Sequence, residues 1–566
     1  MAACNRKTSK GVHGMAELII TNGKVLTMDE ARPSAEAVAM AGGRIIKVGR
    51  SRDVMAERGR RTRVVDAGGK TVLPGLIEGH MHIVPGSLEL SMLNVTGLNG
   101  LEAVRSAVQA YAAGHPGGAL IVGNGLSYVA FGNGRAATRH DLDHCLPDRP
   151  LVLYAPDHHT AWANTKALEL SGILQGRALP PGHEIVMGPD GLATGELRES
   201  LAIAPAVAAA TDYTRARAGL EGLEIDPHPG EDAFAADLAV VKRGLVHLAE
   251  HGITSFHNMD GNIYTMQLLH ALEQRGELTA RARVPFHFKP FMALAALDRA
   301  RMLSAAYQSD MLRGGAVKMF MDGVLDSGTA VVLDDYPDAP GWRGDPLFSQ
   351  ERFNAVAIAA DRLGLQIAVH AIGDGAVRMT LNGYEAARKA NGKRDSRHRI
   401  EHIEIHHPDD LRRFRSLGVL ASMQTCHAPG TSGLPLEPTI SKIGKDKWPY
   451  AFAWQTIRKA KVPLVFGTDW PVSDINPLRA IHAAVTRREW GDNMKPQRQS
   501  LHDSLHSYTV MGAYAEFAEG RKGVLKRGAM GDAVVLDADL ETIAPDDIER
   551  VKVQATVVNG RVVYER

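Results

Sequence analysis

The chain has 566 residues, 45% hydrophobic and 23% charged, with a formal net charge of +1. That length is more than one core normally organises, so roughly two to four domains are expected, and the balanced charge excludes a strong field for nucleic acid or an anionic membrane. Three cysteines, Cys4, Cys145 and Cys426, with no C-x-x-C among them, argue against a disulfide framework or a thiolate zinc site.

The first residues, "MAACNRKTSKGVHGMAELII", have no apolar core followed by a small-residue cleavage site, and the chain contains no apolar run of ~20 residues. Residues 1–14 read as a loose, disordered tail, and the whole as a cytoplasmic protein. From Glu17 the texture is short β-like runs, "ELIITNGKVLTM", "AEAVAMAGGRIIKVG" and "TRVVDAGGKTVLPG", joined by tight turns at "NGK" and "GGR". The C-terminal end repeats it with "GDAVVLDADL" and "VKVQATVVNGRVVYER". Both termini therefore read as parts of one small β-sandwich domain, 15–73 and 521–566, bracketing the rest.

The middle has a different rhythm. "DLAVVKRGLVHLAEHG" is an amphipathic helix closed by glycine and followed by the apolar run "ITSFH". The same order recurs in "FNAVAIAADRLG" then "LQIAVHAIGD", "PDDLRRFRSLG" then "VLASMQ", and "AFAWQTIRKAK" then "VPLVFGTDW". Helix, glycine, apolar strand and a polar strand end make the βα rhythm of a parallel sheet. Repeated this often it predicts an α/β fold of the (β/α)8 TIM-like barrel type over 74–520, with catalytic groups at the C-terminal strand ends. A Gly- and Pro-rich stretch at about 85–232 breaks the rhythm, is too long for a βα loop, and reads as an inserted subdomain over the barrel mouth.

The strand ends carry the candidate chemistry. "LPGLIEGHMHIVPG" ends an apolar run on His80 and His82. Residues i and i+2 of a strand face the same side, so the two imidazoles can chelate one ion while Met81 points away. Lys318 in "GGAVKMFMDG", His370 in "LQIAVHAIGD", His402 in "HRIEHIEIHHP" and Asp469 in "VPLVFGTDWPV" occupy similar positions on later strands. Singly, each has a plain explanation: a satisfied strand-end histidine, a Lys318–Asp322 pair, an Asp469 helix cap or turn. Jointly, histidines and a carboxylate converging on one barrel mouth make a nitrogen and oxygen site suited to zinc or another divalent metal.

"PGLIEGHMH" resembles the P-G-[FL]-[IV]-[DN]-x-H-x-H signature of the amidohydrolase superfamily. The blocks "DLDHCLPDRPLVLYAPDHHTAWANTKAL", "PPGHEI", "GLATGELRE", "VKMFMDG", "HAIGDGAV", "RIEHIEIHHPDD" and "GTDWPV" resemble, in order, the amidohydrolase-3 group of YtcJ-type proteins, which includes N-substituted formamide deformylases. The resemblance implies a barrel plus a β-sandwich made from both termini. It also implies one metal held by His80, His82 and Asp469, and a second held by His370 and His402. Lys318, carboxylated by carbon dioxide, would bridge the two in a binuclear centre. The chain departs from the pattern at His158, where relatives carry glycine, at Thr468 of the G-T-D block, where serine is commoner, and at Glu78, where Asp or Asn is commoner.

The implied reaction is hydrolysis of a non-peptide carbon–nitrogen bond, of amide, N-formyl or N-acyl amine type, in a small-molecule substrate. Metal-activated hydroxide attacks the carbonyl, and Asp469 carries the proton from water to the leaving amine. Tyr128, His159 and Trp162 of the insert, and Trp470 beside Asp469, are the candidate substrate contacts, against a plain reading as core packing. Two other readings stay open: a deaminase or an ester or lactone hydrolase of the same superfamily, and a catalytically inactive metal-binding relative. No nucleic-acid or membrane partner is expected, and a homodimer is compatible with the sequence.

Overall fold

The structure is a computed structural model, and it describes residues 15–117, 120–132 and 135–566. The expected tail at 1–14, with Cys4, lies outside them.

Two all-parallel sheets carry the candidate site. One is ordered Leu312–Arg313, Arg281–Arg283, Ile253–Asn258, Leu76–Met81. The other is ordered Phe286–His287, Ala316–Phe320, Gln366–Ala371, Arg399–His402, Leu420–Met423, Leu464–Phe466. The sheets are contiguous in sequence. Arg281–Arg283 and Phe286–His287 are separated only by Val284 and Pro285, and Leu312–Arg313 and Ala316–Phe320 only by Gly314 and Gly315. At the other edge the Asp469 amide donates to the His80 carbonyl at 2.7 Å, and the His82 amide donates to the Trp470 carbonyl at 2.8 Å. The arrangement is TIM-barrel-like. Its strands are buried on both faces, as in "QIAVHA", where all six residues are buried, because helices cover the outside.

Those helices alternate with the strands. Glu231–Glu250 precedes Ile253–Asn258, Gln350–Arg362 precedes Gln366–Ala371, and Leu411–Leu417 precedes Leu420–Met423. Ser349 caps the second, its side chain accepting from the Arg352 amide, and Gly418 ends the third in the left-handed region at φ 71°. No helix among the described residues is long and apolar enough to cross a membrane.

Strands from both termini share one six-stranded sheet, ordered Arg561–Glu565, Val553–Val558, Ala533–Leu536, Thr71–Pro74, Lys24–Leu26, Ser34–Ala35. A four-stranded sheet, Arg44–Gly49, Ala37–Ala41, Ala16–Thr21 and Arg58–Asp66, accompanies it. Thr71–Pro74 runs antiparallel to Ala533–Leu536 and passes through Gly75 into Leu76–Met81. A buried pair anchors the C-terminal strands to the parallel array: Arg281 donates to both Asp532 oxygens at 2.7 and 2.9 Å.

Between Met81 and Ile253 the chain builds a separate six-stranded sheet, ordered Glu184–Met187, Ala193–Arg198, Thr160–Ala163, Leu151–Tyr154, Ile121–Asn124, Leu93–Asn94. It has its own apolar cluster around Val104, Leu142, Leu151 and Trp162.

Candidate metal centre and its cavities

The first parallel strand delivers two histidines to one point. His80 and His82 sit two residues apart, and the Nε2 of each lies 3.3 Å from Asp469 Oδ1. The other Asp469 oxygen lies 3.9 Å from His402 Nδ1. His402 packs against His80, ring centroids 4.8 Å apart, and against His370 at 4.4 Å. His80, His82 and Asp469 form one group with ligand atoms close enough to share an ion, and His402, His427 and Asp469 form a second. The backbone is strained here. His402 has φ 74° and Asp469 φ 61°, a region that favours glycine, as do His158 at 60° and Glu199 at 64° in the cavity wall.

Carboxylates orient the rings from behind. Glu401 Oε2 is 2.7 Å from His80 Nδ1. Glu401 is itself held by Arg399, which also donates to Ser422 Oγ and to the Gly79 carbonyl. Asp260 Oδ1 lies 3.4 Å from His82 Nδ1. Asp322 Oδ1 lies 3.2 Å from His370 Nδ1. Glu78 accepts from the Thr468 and His80 amides at 2.6 and 3.2 Å, joining the first strand to the loop after the last. Such partners fix an imidazole's tautomer and direction. Sequence reasoning did not identify them.

Lys318 is fully buried, with no hydrogen-bond partner for its Nζ. It lies 4.7 Å from the centroid of the Phe320 ring. Burial lowers its pKa to about 8 against the opposing pull of Glu401 and Asp469. The plain reading of Lys318 as paired with Asp322 is corrected. The Asp322 carboxylate instead accepts from the Val331, Ile372 and Gly373 amides at 3.0, 3.0 and 2.9 Å. The Gly-rich turn of "HAIGDG" thus spends its amides on Asp322.

The donor set fits a metal. Both ring nitrogens of His402, Oδ1 of Asp469 and Nζ of Lys318 are buried without a hydrogen-bond partner, each an expense of ~1–3 kcal/mol unless satisfied. Burial holds the pKa of His80, His370 and His402 well below the usual imidazole value, so their rings are neutral and free to ligate. Burial would raise the pKa of Asp469, but His80, His82 and His427 hold it below the usual carboxylate range.

Two cavities converge on this cluster. The larger, about 330 Å³, is lined by His80, His82, His158, Lys289 and Phe320, among others. The smaller, about 160 Å³, includes Tyr128, Asp326, Glu404 and His427. Asp157, His159, His370, His402, Asp469 and Val472 line both. Of the expected substrate contacts, His159 and Tyr128 face these spaces. His159 Nδ1 lies 2.9 Å from Glu199, and Tyr128 donates to Asp157 at 2.7 Å. Trp162 and Trp470 line neither cavity. Trp162 has no exposed surface and packs in the core of the inserted sheet, edge-on to Tyr128. The Trp470 ring packs over Gly86 and beside His247. For both, packing is the role the structure shows. His427 was missed, although it lies just beyond Leu420–Met423 and so follows the strand-end rule used for the others.

A model of the amidohydrolase family matches residues 63–564. The chain is 30% identical over 557 residues to Protein LONG AFTER FAR-RED 3 of Arabidopsis thaliana, covering 97% of this chain and 92% of that one. It is 27% identical over 562 residues to N-substituted formamide deformylase of Arthrobacter pascens, covering 98% and 99% of the two. Among solved structures it resembles an uncharacterized metal-dependent hydrolase from Pyrococcus furiosus, with a TM-score of 0.67 and 25% identity over 94% of this chain and 99% of that one.

Proposed function

The chain belongs to the amidohydrolase family, and on that premise we propose that it hydrolyses a carbon–nitrogen bond outside main-chain peptides, in an N-formyl or N-acyl amine. The carrying observation is the Asp469 carboxylate set 3.3 Å from both His80 and His82 at the meeting point of two cavities. The formamide deformylase relative supports the N-formyl class.

His80, His82 and Asp469 would hold one divalent ion, with zinc the first candidate by donor type. His370 and His402 would hold a second, bridged through carboxylated Lys318. When bound, such ions supply Lewis acidity and lower the pKa of water toward neutrality. For Lys318 the lowered pKa of about 8 supports the modification: a neutral Nζ adds to the carbon of carbon dioxide and releases a proton, turning a buried cation into an anionic oxygen donor.

The chain's own groups do the rest. Asp469 accepts the proton of the attacking water and returns it to the leaving nitrogen. Glu401 and Asp322 keep His80 and His370 in one tautomer. Burial would lower the pKa of His159, but Glu199 first, with Asp157 and Asp469, raises it to about 9. His159 then presents a positive charge to the space both cavities share, where a developing oxyanion would be stabilised. In this reading the two parallel sheets form one (β/α)8 barrel, and the terminal sheets form its β-sandwich.

The test is a panel of N-formyl amines, N-acyl amines, aminated rings, esters and lactones offered to chelator-stripped and zinc-reloaded protein. Formate or another acid released together with an amine, only after reloading, is the expected result. Ammonia from the rings, or turnover of esters alone, would replace this reading with the deaminase or the esterase.

A further inference from the structure

The larger cavity contains a cation that its wall does not neutralise. Lys289 follows Phe286–His287 and lines that cavity. Its stem lies across Gly222, where a Cβ would come within 2.4 Å of Lys289 Cγ. Its Nζ lies 5.5 Å from the centroid of the Phe320 ring, which stacks on His370 at 4.6 Å. The ammonium and His370 of the histidine cluster thus border the same phenyl ring. Among the described residues no carboxylate comes within 4.0 Å of this Nζ.

The acids of the same wall are engaged elsewhere. Glu199 is 2.9 Å from His159 Nδ1 and accepts from Thr329 Oγ1 at 2.9 Å. Glu221 lies 3.5 Å from Arg217, whose guanidinium sits over the rings of Tyr154 and Tyr213 at 5.2 and 5.6 Å. With His159 set against Glu199 and Arg217 against Glu221, Lys289 is left without a close counterion. Burial lowers its pKa while the more distant Glu221 and Glu199 oppose the shift, as for an ammonium short of a partner. The part of the smaller cavity that is not shared carries Asp326, Glu404 and Glu437 and no lysine or arginine.

We infer that Lys289 sets specificity by receiving a carboxylate on the substrate limb that occupies the larger cavity, with the scissile bond held at Asp469 between the two chambers. An acidic limb turned the other way would meet Glu404 and Glu437, so the charges also fix the substrate's direction. The inference rests on the hydrolase reading above and narrows its substrates to acid-bearing amides.

The probe is a matched pair, N-formyl-γ-aminobutyrate and its neutral amide, offered to the zinc-loaded full chain as wild type, K289M, K289Q and K289R. Binding is followed by calorimetry and turnover by formate release. Wild type is expected to favour the carboxylate by about tenfold or more, the size of one charge-assisted hydrogen bond. K289M and K289Q lose that preference, and K289R keeps part of it. No preference in wild type, or a preference that both neutral variants retain, overturns the inference. A preference in binding with no turnover of either compound leaves Lys289 standing and counts against the hydrolase reading. Turnover of both without preference does the reverse.

Discussion

His80 Nδ1 lies 2.7 Å from Glu401 Oε2, so the first histidine of the cluster is oriented by a carboxylate on the parallel strand Arg399–His402. Glu401 is in turn held by Arg399. Removing the negative charge while keeping the shape should loosen the site without emptying it. Glu401→Gln is expected to weaken metal binding about 10- to 100-fold, read by competition with a chromogenic chelator. Unchanged affinity in a folded variant would show that Glu401 does not tune His80.

The His159–Glu199 pair makes a pH prediction. The folded pKa of His159 is raised to about 9, above the value of ~6.5 for an unperturbed histidine. Glu199 moves the matching way, below its usual range, with His159 overcoming the effect of burial. A histidine raised on folding contributes stability that is fully present below ~6.5 and lost as the pH climbs through the folded value. The melting temperature of wild type should therefore fall between about pH 6.5 and 9.5 more than that of His159→Gln. Parallel melting curves across that interval would count against the pair.

Gly86 lies on the short helix Ile83–Glu89 that follows His82. A Cβ there would lie 2.6 Å from two Trp470 ring carbons. Trp470 directly follows Asp469, so the clash reaches the cluster. Gly86→Ala should cost ~1–3 kcal/mol of stability and lower turnover as well, and adding Trp470→Leu should restore part of both. Differential scanning calorimetry and initial rates on the single and double variants decide it. A single variant as stable and active as wild type would mean that the ring yields freely.

The histidine pair was readable in the sequence because strand alternation places i and i+2 on one side whatever the surrounding fold. Asp469, His370 and Lys318 were readable because apolar runs buried on both faces leave few reasons for a polar residue at their ends. Glu401 was hidden by the same rule. It is adjacent to His402, and alternation sends neighbours to opposite faces. Both reach the site because His402 leaves the strand at φ 74°, a turn that no side-chain pattern announces. For Trp162 and Trp470 the sequence left cavity lining and core packing both open, because an aromatic residue's position in the sequence does not say whether its ring faces a cavity or a core. Lys289 and Arg217 gave no signal, because their significance lies in which carboxylates the folded wall leaves unengaged.

The most direct test of a metal-dependent hydrolase centred on Asp469 pairs metal content with turnover of the N-formyl amine panel in wild type and Asp469→Asn. Stripped wild type should be inactive and should recover in proportion to zinc rebound. Asp469→Asn should keep much of its zinc while turnover falls by ~100- to 10,000-fold. Stripped protein that hydrolyses at the reloaded rate, or an Asp469→Asn variant with near-normal turnover, would contradict the account.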